Sequence, residues 1–310
     1  RPPPVDATSV VSILISSEFL AMDRLVEHCL KFAAKNLDEI LRLPIDLACL
    51  SDKLVARLAE LCDAEALSVL EDRKEKLLPK LFKRRLEIDF RHRKHNTHES
   101  HNAKIHKCRW CGALYPEWAD LPCALAPLKI DDRGSLARSH SPKSAKWSLT
   151  EHVATLHADD MSWEHIYWHM WSVSHVFQCA TCGQKFAACD VGRCSYHDAS
   201  SAAGGVYPCC GAACPRFSAQ GPVPGCKLKD HVPLSDDSVS LTLLRRKTSF
   251  LRAFAEKGQR HSRASSAPHK KGDDASSSSV ESKQQPLVSS SKRSSSKPTR
   301  SSSSSSSSAL

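Results

Sequence analysis

Hydrophobic residues near the N-terminus recur at alternating steps of four and three. This spacing places them on one face of an α-helix. Asn36 follows the last of them, where such a helix should end. The stripe predicts a helix that buries Val11, Ile15, Phe19, Met22, Val26, Cys29 and Ala33.

Shorter helical patterns follow up to residue 90. A short helix is expected at Glu39–Leu43. Ser51 should cap the next helix, because its hydroxyl can accept a hydrogen bond from a free backbone amide of the first turn. The inward residues of that helix are expected to be Leu54, Leu58 and Leu61. The charged segment Glu71–Arg85 also reads as helical, and Pro79 should kink or divide it.

Two further helices are predicted in the C-terminal half. Ser162 should cap the first of them, and we interpret its aromatic stripe as core packing rather than a ligand groove. That stripe consists of Trp163, Ile166, Tyr167, Met170 and Trp171. Residues 236–256 predict a basic amphipathic helix whose apolar side holds Leu241, Leu244, Leu251 and Phe254.

The positive charge of the chain is concentrated in its last residues. The 310 residues carry a formal charge of +10. From Lys257 onward ten basic residues stand against three acidic ones, so +7 of that charge lies at 257–310. This serine-rich tail lacks the apolar residues needed for a core, and we expect it to be disordered. Weak binding of nucleic acid is expected there rather than on the folded part.

The chain has no apolar run of the roughly 20 residues that a membrane helix needs, and no signal peptide is visible. We therefore expect no membrane partner. The sequence begins at Arg1 rather than Met, so we expect it to be a fragment of a longer protein.

Cysteines and histidines with the pairing of zinc ligands fill the stretch Cys179–His231. The spacing of a Cys-x-x-Cys turn allows two thiolates to bind one ion. Cys194-x-x-His197 has the same spacing, with an imidazole nitrogen in place of one thiolate. Six thiols and two imidazoles suffice for two closed structural zinc sites. The predicted metal ligands are Cys179, Cys182, Cys194, His197, Cys209, Cys210, Cys226 and His231, with the last two as a pair.

The alternative for these cysteines is a disulfide framework. Disulfides do not need histidines at ligand spacing, so zinc is favoured. The spacing leaves open which four ligands share an ion. The adjacent Cys209 and Cys210 would point apart on an extended backbone, which would place them on different ions.

Cys108, Cys111 and Cys123 predict a third zinc site. Its fourth ligand would be Cys189, Cys214 or a nearby histidine. The alternative is a pair of buried thiols and an unrelated Cys123. Upstream, residues 91–107 form a polar segment with His92, His95, His98, His101 and His106. We interpret it as a solvated linker in preference to a metal-binding or nucleic-acid-binding segment.

Three resemblances to known families rest on these motifs. The pattern from Cys179 to His231 resembles a CHORD zinc module, which implies two structural zinc ions and a protein-docking surface. Residues 13–37 resemble the C-terminal helices of a BTB/POZ domain. The order of motifs over residues 10–235 resembles the C-terminal half of the SANT and BTB domain regulators of class switch recombination. The additional motifs in that order include Leu121-Pro122-Cys123, Ile130–Gly134 and Trp163…Trp171.

The resemblance implies a nuclear, non-enzymatic regulator of transcription or DNA recombination. It would act through protein partners, with homodimerisation through the parent BTB domain. A cytoplasmic location is the alternative. Other functions left open are an adaptor of a cullin ubiquitin ligase and a nucleic-acid binder that uses the linker and the basic tail. The sequence contains no zinc-protease, deaminase or phosphate-loop signature, so we expect no enzyme.

The predicted fold is an α-helical region followed by a small zinc-stabilised, irregular β module. We expect helices of a BTB-like remnant at 9–90, the linker at 91–107 and the zinc-binding domain at 108–235, with its CHORD-like part at 179–231. The basic helix at 236–256 and the tail at 257–310 follow.

Overall fold

The N-terminal part of the chain is helical, and small irregular β-sheets carrying Cys/His clusters follow it. The computed structural model describes residues 5–72, 76–90, 104–130, 134, 136–144, 146–198, 205–214 and 225–264. Predictions for the linker at 91–103 and the tail from 265 onward lie outside these residues. None of the described helices is both long enough and apolar enough to cross a bilayer.

The helices of the N-terminal part are short and pack on one another. They are α1 (Val10–Phe19), α2 (Asp23–Lys35), α3 (Leu37–Arg42), α4 (Asp52–Leu61), α5 (Ala64–Val69) and α6 (Leu78–Phe90). A 3-10 turn at Leu47–Cys49 lies between α3 and α4. Their apolar faces meet in a core whose most deeply buried residues include Val10, Leu30, Leu58 and Leu81.

The first apolar stripe is divided between two helices rather than one. The chain turns at Ala21, whose φ of 54° lies in the left-handed region. This turn removes Phe19 and Met22 from the buried face, and Phe19 is 89% exposed. The prediction was therefore wrong for these two residues, although Val11, Val26, Cys29 and Ala33 are buried as expected.

The predicted helix cap at Ser51 is confirmed. The Ser51 hydroxyl accepts a hydrogen bond from the Leu54 amide at 3.2 Å and begins α4. Leu61, at the end of that helix, is 44% exposed and not inward as expected. Pro79 lies in the first turn of α6 and does not kink it, because the first helical amides need no partner within the helix. The Asp72 carboxylate accepts from the amides at that end instead.

The C-terminal half combines short strands with three helices. The strands are β1 (Ile105–Lys107), β2 (Leu114–Pro116), β3 (Lys129–Ile130), β4 (Leu136–Ala137), β5 (Val176–Cys179), β6 (Lys185–Ala187), β7 (Cys194–Tyr196), β8 (Lys227–Lys229) and β9 (Pro233–Leu234). The helices are α7 (Leu149–Ala158), α8 (Trp163–Ser174) and α9 (Ser238–Ala264), and a 3-10 turn lies at Ala188–Asp190. All the strand pairings are antiparallel: β1 with β2, β3 with β4, β5 with both β6 and β9, and β7 with β8.

Helix α8 joins the helical and the cysteine-rich parts of the molecule. The Ser162 hydroxyl accepts from the His165 amide at 3.3 Å, as predicted. Trp168 is fully buried, and its ring meets Phe82 of α6 edge-on at 6.3 Å. The aromatic side chains of α8 are thus core packing, and one apolar cluster extends from Ala7 to Leu251.

Helix α9 packs on α5, on α8 and on the 3-10 turn at Ala188–Asp190. It continues to Ala264, beyond the predicted end at residue 256. Its own residues Leu243, Leu244 and Leu251 are buried. The Lys247 ammonium lies 4.5 Å from the centre of the Trp168 ring. The described residues from α1 to α9 belong to one compact unit.

Candidate metal centres

Cysteine and histidine side chains converge in three groups of four among the described residues. In each group, three thiols and one imidazole place their ligand atoms within 4.8 Å of one another, so each could hold a metal ion. We term these groups the first, second and third tetrad. The first consists of Cys108, Cys111, Cys123 and His140, the second of Cys179, Cys182, Cys194 and His231, and the third of His197, Cys209, Cys210 and Cys226.

The spacing of the ligand atoms is that of a tetrahedral metal site. Zinc bonds of about 2.3 Å to sulfur and about 2.0 Å to nitrogen place tetrahedral sulfurs about 3.8 Å apart, and sulfur and nitrogen about 3.5 Å apart. The sulfurs of Cys108 and Cys123 are 3.9 Å apart, as are those of Cys179 and Cys194. In the first tetrad, Nδ1 of the histidine lies 3.5 Å from the sulfur of Cys111.

The same sulfur positions argue against the disulfide alternative. None of the fourteen cysteines, which all lie among the described residues, forms a disulfide bond. In the third tetrad, the sulfurs of Cys209 and Cys226 are 3.6 Å apart, whereas a disulfide bond is about 2.05 Å long.

All eleven cysteines and histidines predicted as ligands fall within the tetrads, but two predicted pairs are divided between them. Cys194 belongs to the second tetrad and His197 to the third. Residues three apart on an extended strand point to opposite faces, so β7 cannot offer both to one ion. Likewise, Cys226 belongs to the third tetrad and His231 to the second.

The pairing of β7 with β8 explains this exchange of ligands. These strands run antiparallel, with Cys194 opposite Lys229 and Tyr196 opposite Lys227. One end of the ladder therefore carries the Cys194 and His231 ligands, and the other end carries those of the third tetrad. The second and third tetrads therefore lie at opposite ends of one two-stranded ribbon.

Cys209 and Cys210 belong to the same tetrad, contrary to the expectation for an extended backbone. Their sulfurs lie 3.4 Å and 3.5 Å from Nδ1 of His197. The backbone turns here: the Gly211 amide donates to the Tyr207 carbonyl at 2.8 Å. The tight turn aims both thiols at one point.

The fourth ligand of the first tetrad is a histidine, His140, rather than Cys189 or Cys214. Cys189 instead packs against the large apolar cluster that extends from Ala7 to Leu251. Burial, followed by the neighbouring Asp190, raises the pKa of the Cys189 thiol well above its ordinary value.

The first and second tetrads are built on an internal repeat. Adding 71 to 108, 111 and 123 gives 179, 182 and 194, the positions of the three cysteines of the second tetrad. The strands obey the same shift, because Ile105 faces Pro116 in one copy and Val176 faces Ala187 in the other. We term residues 105–142 the first repeat and residues 176–233 the second repeat.

The ligand histidine of each repeat is held by the same backbone contact. Each stands two residues before a proline, as His140-Ser-Pro142 and His231-Val-Pro233. The residue that follows the histidine accepts a hydrogen bond from the residue after the first cysteine, at 2.9 Å in the first repeat and 2.7 Å in the second. This shared His-x-Pro, following a shared Cys-x-x-Cys-Gly, is the sequence signal that identifies His140.

The metal-binding turns have a common backbone geometry. In the first repeat, the Gly112 amide donates to the Cys108 carbonyl at 3.0 Å, and in the second the Gly183 amide donates to the Cys179 carbonyl at 2.9 Å. These glycines have φ of 74° and 68°, a region that glycine occupies without steric cost. The third tetrad repeats the turn, with Tyr207 in place of the first cysteine.

Each ligand imidazole is stacked on an aromatic ring. His140 stacks on Tyr115 at 4.8 Å between ring centres, and His231 on Phe186 at 4.2 Å. In the third tetrad, Tyr207 lies 3.6 Å from the His197 ring at 8°. Tyr115 and Phe186 are themselves related by the shift of 71. The stacking fixes the plane of the imidazole and hence the direction of Nδ1.

In each repeat, the pKa of one cysteine thiol is lowered and that of another is raised. Burial raises the pKa of Cys179, but hydrogen bonds led by the backbone amide of Cys182 outweigh it and lower this pKa to about 5. The same balance lowers the pKa of Cys108 to about 6. Burial and the neighbouring thiols raise the pKa of Cys111 and of Cys194 to about 12. The backbone therefore prepares one thiolate in each repeat.

The third tetrad lies in additional sequence within the second repeat. Cys194 and His231 are separated by 36 residues, whereas Cys123 and His140 are separated by 16. Cys210 and Cys226 are exposed, whereas Cys179, Cys194 and His231 are buried. Gly225 provides space for the return of the chain, because a Cβ atom there would overlap the Tyr196 backbone.

Some predicted features near the sites lie outside the described residues. They are the histidines of the predicted linker at positions 92, 95, 98 and 101. His106 is described and lies in β1, not in a linker. The chain matches no protein-family model and no solved structure.

Proposed function

We propose that the three tetrads bind three structural zinc ions and that the protein is a non-enzymatic docking scaffold for other proteins. The observation that carries this proposal is that every tetrad brings four potential protein ligand atoms within 4.8 Å of one another. A structural zinc site is closed in this way, whereas a catalytic one keeps a position open for water or substrate.

Zinc is the ion that fits these ligands best. Three thiols and an imidazole are typical of structural zinc, and soft thiolates disfavour magnesium and calcium. The strands that carry the ligands have only two to four residues. The apolar cluster of the first repeat is small and consists partly of the ligand cysteines. Metal binding would therefore supply much of the folding free energy here.

A docking role is supported by the apolar side chains that the first repeat exposes. Trp110 and Trp118 are 43% and 54% exposed, and Leu125 and Ile130 are exposed further. Exposed tryptophans near a rigid, metal-bound turn are suited to contact another protein. A nuclear location, a BTB domain in the parent protein and a role in transcription or recombination are part of the proposal and rest on the family resemblance.

Metal analysis of the purified full chain tests the proposal. Under reducing, chelator-free conditions we expect native mass spectrometry to show three zinc ions per chain, one for each tetrad. His140→Ala should retain two of them, because one ligand of the first tetrad is lost. The control is His28→Ala, which alters an exposed histidine of α2 and should retain all three. A chain without zinc, or a His140→Ala variant with three, would overturn the assignment.

A further inference from the structure

A cleft of about 380 Å³ opens beside the first tetrad. Its walls include His106, Tyr115, Glu117, Trp118, Asp120 and His140. Trp118 is 54% exposed, and the Glu117 and Asp120 side chains are also exposed. The cleft thus combines an accessible indole with two carboxylates.

The internal repeat identifies the equivalent surface in the second copy. The shift of 71 converts Trp118, Asp120 and Leu121 of the cleft into Cys189, Val191 and Gly192. Ser139, which precedes the ligand histidine, corresponds to Asp230. Positions that line an open cleft in the first repeat therefore have defined counterparts in the second.

Those counterparts are covered by helix α9. The helix packs on the 3-10 turn at Ala188–Asp190, and Val191 is only 4% exposed. The Arg252 guanidinium of α9 forms an ion pair with Asp230. A Cβ atom at Gly192 would lie 3.8 Å from Nε of that arginine. The second repeat thus binds a basic amphipathic helix through an acid and an apolar floor.

The first repeat carries its acid at another position: Ser139 stands where the second repeat has Asp230, and Asp120 stands where it has Val191. Trp118 and Asp120 are exposed. Glu117 and Asp120 supply carboxylates in this cleft, and a carboxylate can pair with a cation as Asp230 does in the second repeat. The Trp118 indole offers a large apolar and π surface. Glu117 already has partners in this chain, because Lys104 lies 3.8 Å and His106 3.7 Å from its carboxylate. Among the described residues, no cation pairs with Asp120. The charge of the cleft therefore favours a basic occupant.

We propose that this cleft binds a basic amphipathic helix of a partner protein, in the way that the second repeat binds α9. The proposal rests on the proposed docking function and names the site and the chemistry of the partner. Apolar side chains of the partner helix lie against Trp118 and Leu121, and its arginine or lysine faces Asp120.

A synthetic peptide of residues 238–264 is the probe, because α9 is the helix that the equivalent surface accepts. Its binding to the zinc-loaded full chain is measured by fluorescence anisotropy. We expect Trp118→Ala and Asp120→Lys each to weaken binding at least about tenfold, as loss of a central contact does. The matched controls are Phe19→Ala, which removes an exposed aromatic ring, and Glu60→Lys, which reverses an exposed charge on α4. Both should leave binding unchanged.

A charge exchange makes the test specific. A peptide with Arg252→Glu should lose affinity for the wild-type chain and regain it with the Asp120→Lys variant. Absence of peptide binding to a chain that holds three zinc ions would overturn the cleft proposal while leaving the zinc assignment intact. Equal binding of a scrambled peptide of the same composition would also overturn it, since the surface would then be only an acidic patch. A dimer in light scattering that dissociates in Trp118→Ala would do the same, by showing a second copy as the occupant.

Discussion

At the scale of single residues, protons compete with the metal for the thiols. Cys111 and Cys194 have pKa values of about 12 in the metal-free fold, so both are protonated at neutral pH. An ion that binds the first or second tetrad must displace this proton, because the thiolate is the metal ligand. Metal affinity is therefore linked to pH.

We predict that each ion entering the first or second tetrad releases at least one proton at pH 7. The apparent affinity should fall by about tenfold per pH unit of acidification for each proton released. The dependence should steepen below about pH 6, where Cys108 is protonated too, and Cys179 follows near pH 5. Calorimetric zinc titrations in two buffers of different ionisation enthalpy measure the protons released. Binding without proton release would contradict the prediction.

At the scale of elements, the metal-binding turns depend on glycine. Gly183 has a φ of 68° and no atom within 4 Å of where a Cβ would lie, so backbone strain alone decides a substitution there. Gly192 provides a matched control in the same repeat. It lies outside the left-handed region, and the nearest atoms to its Cβ position are 3.8 Å away, at ordinary contact distance.

Gly183→Ala should lower the free energy of unfolding by about 1–2 kcal/mol, the cost of a left-handed conformation for a residue with a Cβ. Gly192→Ala should be neutral or slightly stabilising, because it restricts only the unfolded chain. Urea denaturation of the zinc-loaded proteins measures both. Equal effects of the two substitutions would show that the turn does not depend on the backbone angle of Gly183.

Signals contained within one element were readable from the sequence, whereas pairings between elements were not. The Ser51 and Ser162 caps act over three residues and were predicted correctly. Phe19 is exposed because the chain reverses at Ala21 in a left-handed conformation. Glycine is the usual residue for that conformation, so an alanine did not indicate the turn. Eleven of the twelve tetrad residues were predicted from their type and spacing, and His140 was not. Their distribution between ions depends on the register of β7 against β8, which residue spacing alone does not determine.

At the scale of the whole molecule, the tetrads differ in their protection from solvent. Three ligands of the second tetrad and two of the first are buried, while the third tetrad has two exposed ligands and no buried one. The second tetrad also adjoins the large apolar cluster, of which Cys179 and Cys194 are part. We therefore expect the ions to be lost in a defined order.

A limited amount of chelator should remove zinc from the third tetrad first. With N-ethylmaleimide present, Cys210 and Cys226 should be alkylated before the buried Cys108 and Cys179. Peptide mapping by mass spectrometry at successive times measures this order. The unpaired cysteine Cys49 is exposed and serves as an internal reference for a thiol that needs no metal release. Alkylation of Cys179 as fast as that of Cys226 would contradict the expectation.

The nesting of the third tetrad inside the second has a consequence for synthesis on the ribosome. Every residue of the third tetrad leaves the exit tunnel after Cys194 and before His231. If the tetrads bind zinc as proposed, the second tetrad would have only its three thiols translated, and would lack His231, until the third tetrad has emerged. A nascent chain would bind its first zinc ion at the first tetrad, its next at the third tetrad, and its last at the second tetrad.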